Sequence, residues 1–367
     1  MTYIFQNKDW PAFTWNHQQL ENLLAIVRHR QGRILGRMES LGFPLKSEAN
    51  LNILTLDVIK SNEIEGHILD REQVRSSIAR RLGLNIGGLI AADRHVEGVV
   101  EMILDATQQY DKPLTEERLF GWHSSLFPVG HSGIHKIKVG NWRDNGSGPM
   151  QVISGAYGKE RIHYEAPDAD LLEEETTAFL KWFNNQQNID AVIKAAIAHL
   201  WFVTLHPFDD GNGRIARAIA DMQLARAEES PQRFYSMSAQ IRIERNAYYD
   251  ILERTQKGSL VITEWLQWFL LCLDRALSTT ENTLVDVLQK SRFWEFNSGI
   301  LLNARQQMMT NKLLNGIEGK LTSSKWAKMA KCSQDTALRD IQDLISKEIL
   351  IKDSTSGRST SYQVVFR

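Results

Sequence analysis

Residues 206–217 read HPFDDGNGRIAR. One short run holds a histidine, two aspartates, a Gly-Asn-Gly turn and two arginines. The stretch before it, AVIKAAIAHLWFVTL at 191–205, is apolar almost all round, which predicts a buried helix. The run behind it, ARAIADMQLARAEE, predicts a second helix. The motif is therefore a tight turn between two helices, and the fold class that follows is mainly α.

The chemistry of this turn is legible from residue types. Glycines at 211 and 213 admit backbone geometry closed to other residues. The amides of Gly211, Asn212 and Gly213 fall at the N-terminus of the following helix, an anion site by geometry and dipole. Arg214 and Arg217 add cations suited to phosphate oxygens. Asp210 is a hard oxygen ligand of the kind that holds magnesium beside phosphates. His206 can take a proton from a hydroxyl.

Other readings of the same residues are weaker. GNGRIA matches a GxGxxA dinucleotide fingerprint, but that motif follows a strand and this one follows a helix. No GxxxxGK[ST] phosphate loop occurs. A zinc site from His199, His206 and Asp210 lacks HExxH spacing. A purely structural turn with a satisfied histidine leaves the two arginines and the acid unexplained.

Outward from the motif, helical periodicity predicts helices over 18–40, 49–64, 71–81, 97–109, 115–127, 171–185 and 214–229. Gly42 and Pro44 break the first from the second, and Asp70 with Gln73 resembles a capping box for the third. The Gly-, Ser-, Asn- and His-rich region 130–167 differs. Strand-like pieces at 150–153 and 161–164, separated by SGAYGKE, predict a hairpin. At the C-terminal end, helices at 311–317, 323–331 and 333–347 precede ILIKD and SYQVVFR, which flank STSGRST. That order suits a winged helix-turn-helix. Three regions are expected: a helical region at 1–108, a core at 109–285 and a winged helix at 300–367.

HPFDDGNGRIAR resembles the signature of the Fic-domain family, H-x-F-x-[D/E]-G-N-G-R-x-x-R, with every fixed position met. The resemblance implies a Fic-type helical core with a small β-hairpin flap that moves AMP from ATP to a Ser, Thr or Tyr hydroxyl of a target protein. It implies His206 as general base. Asp210 would hold Mg²⁺, with Mn²⁺ as an alternative, against the α- and β-phosphates. Gly211, Asn212 and Gly213 would form the anion hole. Arg214 would grip the terminal phosphates, Arg217 would reach the γ-phosphate, and Phe208 would anchor the turn in the core. The hairpin is placed like the family's flap, with Ile162, His163 and Tyr164 as target-docking candidates. RNAYYDIL, followed by ITEWLQWFLLCL, resembles the region closing over adenine, so Tyr248 and Tyr249 are candidates for the nucleoside pocket.

Residues 61–66 read SNEIEG. They resemble the inhibitory motif [S/T]-x-x-x-E-[G/N] that some Fic proteins carry on an N-terminal helix, here at about residues 49–66. Glu65 would then pair with Arg217 and compete with the γ-phosphate for it. Ser61, four residues earlier, lies near the same helix face. In some relatives with this architecture the glutamate also helps water remove AMP, so the resemblance implies a de-AMPylating or bifunctional enzyme as the alternative.

The chain has 367 residues, 43% of them hydrophobic and 24% charged, with a formal net charge of −1. Those are the values of an ordinary globular chain, and they point to no polyanionic partner. Its start, MTYIFQNKDWPAF, lacks the basic and apolar segments of a signal peptide, and WLQWFLLCL is too short to span a bilayer. A cytoplasmic setting and no membrane partner are the expectation. Cys272 and Cys332 form no metal pattern. A second class of function is a DNA-binding regulator with a Fic-fold sensor. Against it, the recognition helix SQDTALRDIQDLISK carries Asp335, Asp340 and Asp343, which repel phosphates. Docking to protein or formation of a homodimer is an equal expectation for that module, and self-modification is a further one.

Overall fold

The computed structural model describes residues 2–39, 43–84, 88–155, 158–297, 299–314, 317, 319–353 and 360–365. The chain divides into two compact units, Met1–Glu281 and Asn282–Arg367.

The first unit opens with helices α1 (His17–Glu39), α2 (Phe43–Ile64), α3 (Arg71–Arg81), α4 (Arg94–Gln108) and α5 (Glu116–Leu126). Helix α2 begins earlier than expected because Pro44 falls in its first turn, where a missing backbone N–H has no helical partner to lose. Asp70 caps α3 by accepting from the Gln73 amide at 2.9 Å. The Gln73 side chain accepts from the Asp93 amide at 2.9 Å, so only half of the expected capping box forms. Two short ribbons follow: β1 (His131–Ser132) with β2 (His135–Lys136), and β3 (Gln151–Ser154) with β4 (Arg161–Glu165). Both are antiparallel.

Helices α6 (Leu172–Asn184), α7 (Ala191–Leu205), α8 (Asn212–Glu228), α9 (Met237–Ile243) and α10 (Arg245–Gln256) complete the core. Residues 192–205 of α7 are all buried, as its unbroken apolar run requires. It packs closely on α8, and α8 on α4 and α5. Helix α2 packs on α9, so the N-terminal helices belong to the same unit as the core rather than to one ending near residue 108.

Helix α11 (Thr263–Phe296) runs through the division between the units, so the second unit starts at residue 282 rather than 300. That unit holds α12 (Ala304–Leu314), α13 (Ser323–Ala330), α14 (Gln334–Ser346) and an antiparallel pair, β5 (Leu350–Lys352) with β6 (Tyr362–Val364). Helix α12 starts seven residues before its expected position. Asn303 and Gln306 cap that start reciprocally, each side-chain oxygen accepting from the other's amide. The unit has its own core around Trp326, Ile341, Leu344 and Ile349. Most of the expected wing loop, 354–359, lies outside the described residues. Among the described residues no helix is long and apolar enough to cross a membrane.

Candidate active site

The turn at 206–211 is held by packing. Helix α7 ends at His206, which adopts the left-handed conformation with φ 48° and ψ 54°. Gly211 has φ 82°, and a Cβ there would lie 2.9 Å from the Phe127 ring, so both conformation and space demand glycine. Phe208 is fully buried and stacks on His123 at 4.2 Å with 8° between the rings. The Asn212 side chain accepts from the Phe208 amide at 2.9 Å and donates to its carbonyl at 2.7 Å. Asn212 therefore locks the turn with its side chain and offers the site only its backbone.

His206 is set up as a neutral base. Its Nδ1 lies 3.3 Å from the Val203 carbonyl, which can only accept, so Nδ1 carries the proton and Nε2 the lone pair. Burial, reinforced by the Arg143 charge, pushes its pKa down to about 4. Arg143 fixes the backbone here, donating Nε to the His206 carbonyl at 2.8 Å and Nη2 to the Pro167 carbonyl at 2.5 Å.

Asp210 is oriented at both oxygens. Its Oδ1 accepts from the Gly211 amide at 2.5 Å, and its Oδ2 accepts from the Ser132 hydroxyl. His123 Nδ1 accepts from the Gly140 amide at 3.1 Å, which leaves Nε2–H to donate to the Asp210 carbonyl at 3.2 Å. Burial pushes the His123 pKa down to about 4. A fixed carboxylate with spare lone pairs, at a helix N-terminus, fits a magnesium ion that takes its remaining ligands from phosphates and water.

Helix α8 starts without a side-chain cap, and its first helical bond runs from the Ile215 amide to the Gly211 carbonyl at 3.0 Å. The amides of Asn212, Gly213 and Arg214 precede that bond, at the positive end of the helix dipole. Two buried guanidiniums flank them. Arg214 is 1% exposed, lies 5.0 Å over the Phe127 ring, and has no partner for Nε among the described residues. Burial lowers its pKa. Arg217 is 2% exposed and has no partner for Nη1 among the described residues. Buried cationic N–H groups without partners are costly, and an anion relieves that cost.

Glu65 occupies this end of the site. Its Oε1 accepts from Arg217 Nη2 at 2.8 Å. Arg217 also donates Nε to Ser61 Oγ and Nη2 to the Ser61 carbonyl, both at 2.9 Å. Burial alone would lower the Arg217 pKa, but the Glu65 carboxylate together with Tyr248 and Tyr249 raises it overall. A Cβ on Gly213 would lie 2.4 Å from Glu65 Oε1, so the carboxylate rests directly over the glycine. Helix α2 is pinned at this end by Arg245 Nε, which donates to the Ile64 carbonyl at 2.7 Å. Tyr249 OH adds a 3.3 Å bond to Glu65 Oε2.

A cleft of about 560 Å³ joins these parts, lined by Glu65, His206, the 209–213 turn, Tyr248, Tyr249 and the β3–β4 hairpin. Tyr248 is 1% exposed and its OH lies 2.8 Å from His199 Nε2. His199 thus engages Tyr248, and no group of three metal-binding side chains occurs among the described residues. Within the hairpin, Ile162 is 45% exposed, while Tyr164 is 1% exposed and donates to the Thr204 carbonyl at 2.7 Å. The Tyr164 side chain therefore anchors the hairpin to α7 and cannot meet a docked segment. His163 faces α10 and meets Glu253. Sequence reasoning missed Ser132, His123, Arg143, Arg245 and Glu253, because their contacts lie tens of residues away along the chain and leave no local pattern.

Residues 113–224 match the family model described as Fic/DOC family. Residues 3–84 match a model described as a domain of unknown function, DUF4172. A protein adenylyltransferase Fic of Nematostella vectensis is 25% identical over 227 residues, covering 60% of this chain and 47% of its own length. One from Culex quinquefasciatus is 33% identical over 225 residues, covering 58% of this chain and 39% of its own. The chain thus spans less than half the length of either relative. The crystal structure of a Fic family protein from Desulfovibrio desulfuricans G20 covers 97% of this chain and 98% of its own, with a TM-score of 0.55 and 20% identity. That likeness is one of fold. The chain carries a Fic domain of the Fic/DOC family at residues 113–224, within a mainly helical architecture.

Proposed function

We propose that the chain is a protein adenylyltransferase that moves AMP from ATP to a hydroxyl side chain of a target protein. The observation that carries this reading is the pairing of a neutral His206 with an uncapped helix end flanked by two buried arginines, Arg214 and Arg217, each with one N–H group that has no partner among the described residues. That constellation suits a polyphosphate and a hydroxyl brought together. The names of the relatives support the same activity.

In this reading the triphosphate lies along the amides of 212–214, with Arg214 and Arg217 taking its terminal oxygens. The target hydroxyl attacks the α-phosphorus, its proton passes to His206 Nε2, and pyrophosphate leaves. Asp210 would hold Mg²⁺ or Mn²⁺, which supplies charge neutralisation at the phosphates. Tyr248 and Tyr249 border the nucleoside end. An extended target segment adds to the β3–β4 hairpin through backbone bonds near the exposed Ile162. Glu65 acts as a brake, because its carboxylate holds the arginine that a γ-phosphate needs. Its place beside the anion site also suits activation of a water, so removal of AMP from a modified target is the second reading. The second unit, which holds the end of α11, helices α12 to α14 and a two-stranded ribbon, is assigned to protein docking or dimerisation.

The test uses α-labelled and γ-labelled ATP in parallel with Mg²⁺, on wild type and Glu65→Gly, with cell extract as a source of targets. Label from the α-phosphate alone, stronger in Glu65→Gly, supports transfer and brake together. Label from the γ-phosphate, or none from either, overturns the transfer reading.

A further inference from the structure

Ser154, His163 and Glu253 form a hydrogen-bonded chain that the transfer chemistry does not use. Ser154 Oγ lies 2.5 Å from His163 Nε2, and His163 Nδ1 lies 2.5 Å from Glu253 Oε2. All three line the cleft that also holds His206. The strand register explains how His163 comes to point there. Val152 pairs with Tyr164 and Ile153 with Ile162, so His163 is the extra residue of a β-bulge. Bulges re-aim side chains.

The protonation states follow from the partners. Glu253 also accepts from Arg161 Nη2 at 2.8 Å and Lys257 Nζ at 2.7 Å. Burial alone would raise its pKa, but the hydrogen bonds from His163, Lys257 and Arg161 hold it at about 2. An ionised Glu253 takes the Nδ1–H, and in the neutral imidazole Nε2 accepts from the Ser154 hydroxyl. A hydroxyl, a base that accepts from it and a carboxylate that orients the base are the parts of an activated nucleophile.

We propose that Ser154 is a nucleophile for electrophilic phosphorus and the chain's own acceptor of a nucleotidyl group transferred in this cleft. The second half of the proposal rests on the AMP-transfer reading. Ser154 Oγ attacks the α-phosphorus of ATP and its proton passes to His163 Nε2. The bond from that phosphorus to the bridging oxygen breaks, and pyrophosphate leaves with the electron pair. The imidazolium formed stays against Glu253. Arg161 and Lys257 stand beside it, and the phosphate charge offsets their repulsion. The product is a phosphodiester on Ser154, next to the exposed Ile153 and Ile162, where it narrows access to the hairpin.

Two arms test this on the full chain. In the first, wild type is treated with a fluorophosphonate probe, which needs no nucleotide chemistry, and peptides are mapped by mass spectrometry. Ser154 is expected to be labelled. His163→Ala is expected to lower labelling about 100-fold, as loss of a general base does, and added imidazole to restore much of it. Glu253→Gln lowers labelling while keeping the base in place. An unlabelled Ser154, or labelling that ignores His163 and imidazole, overturns the proposal and leaves a structural clasp. In the second arm, Glu65→Gly is incubated with MgATP and extract. AMP on the peptide containing Ser154 supports the proposal, and AMP elsewhere on the chain with Ser154 unmodified overturns the acceptor role. Label on extract proteins reports transfer independently. If neither chain nor extract gains AMP, the transfer reading fails and the first arm alone decides the nucleophile.

Discussion

Replacing Glu65 by glycine removes one partner from an ion pair whose two ends differ in exposure. The Arg217 side chain is 2% exposed and the Glu65 side chain 28%. Breaking a fully buried pair costs about 3–5 kcal/mol, whereas an exposed pair contributes about 0–1 kcal/mol. One buried end and one partly wetted end place this pair between those limits, at about 2 kcal/mol. The same energy is what a γ-phosphate must displace to reach Arg217. At about 1.4 kcal/mol per factor of ten, under the proposed AMP-transfer function its removal should raise productive ATP binding and transfer roughly 30-fold. Stability moves the other way, since Glu65→Gly leaves Arg217 buried without its carboxylate. Without nucleotide its melting temperature should fall, and saturating MgATP should restore more of it than in wild type. The assay is incorporation of α-labelled ATP over time, with thermal unfolding with and without MgATP. Glu65→Gln separates charge from shape, because the amide fills the same space over Gly213 but cannot neutralise Arg217. It should activate less than glycine. Unchanged or lower incorporation in Glu65→Gly, with the protein folded, would refute the competition argument.

Further outcomes follow from the same geometry. His206→Ala should abolish transfer while retaining ATP binding by calorimetry, and wild-type incorporation would sink the general-base role. Ser61→Ala removes one of the hydrogen bonds to Arg217, worth about 1 kcal/mol, and should raise transfer roughly fivefold, less than Glu65→Gly. His199 is buried and its pKa is pushed down to about 3 by burial, with the Arg217 charge adding to the effect. A lowered histidine contributes stability fully present above the unfolded pKa near 6.5 and lost as pH falls toward the folded value. By pH 5 that loss reaches at most about 2 kcal/mol. Denaturant unfolding of wild type and His199→Phe between pH 7 and 5 should show a shallower pH dependence in the variant, and parallel curves would contradict this. In the second unit, Asp340 is paired with Arg305, and Asp343 is held by Gln306 and Lys347. Negative charge on α14 repels phosphates, so retention of the full chain on DNA is expected to lack a steep salt slope.

Much of the helical order was legible because each helix announces itself locally. The all-apolar run at 191–205, the cap at Asp70 and the glycines at 211 and 213 need no distant partner to be read. The starts of α2 and α12 were misplaced for different reasons. Pro44 reads as a breaker unless it lies in a first turn, whereas Asn303 and Gln306 are a capping-box pair that marks the start of α12 in the sequence itself. The hairpin was legible as two strand-like pieces, but its bulge was not. With one residue extra, side-chain alternation beyond the bulge is reversed, so the fates of Ile162, His163 and Tyr164 could not be told apart.

The sequence by itself determined the chemistry of the central turn: a base, an acid, an anion-binding helix end and two cations follow from residue type and spacing within twelve positions. It also offered Glu65 as a partner for Arg217, through resemblance rather than physics. Only the tertiary structure decided which of these groups are free. It brings α2 onto the core so that Glu65 covers Gly213, it buries Arg214 with no partner for Nε among the described residues, and it turns His206 so that Nδ1 faces the Val203 carbonyl while the residue lines the cleft. Protonation state, orientation and competition for a cation depend on burial and on neighbours far away in sequence. Those quantities exist only once the chain has closed on itself.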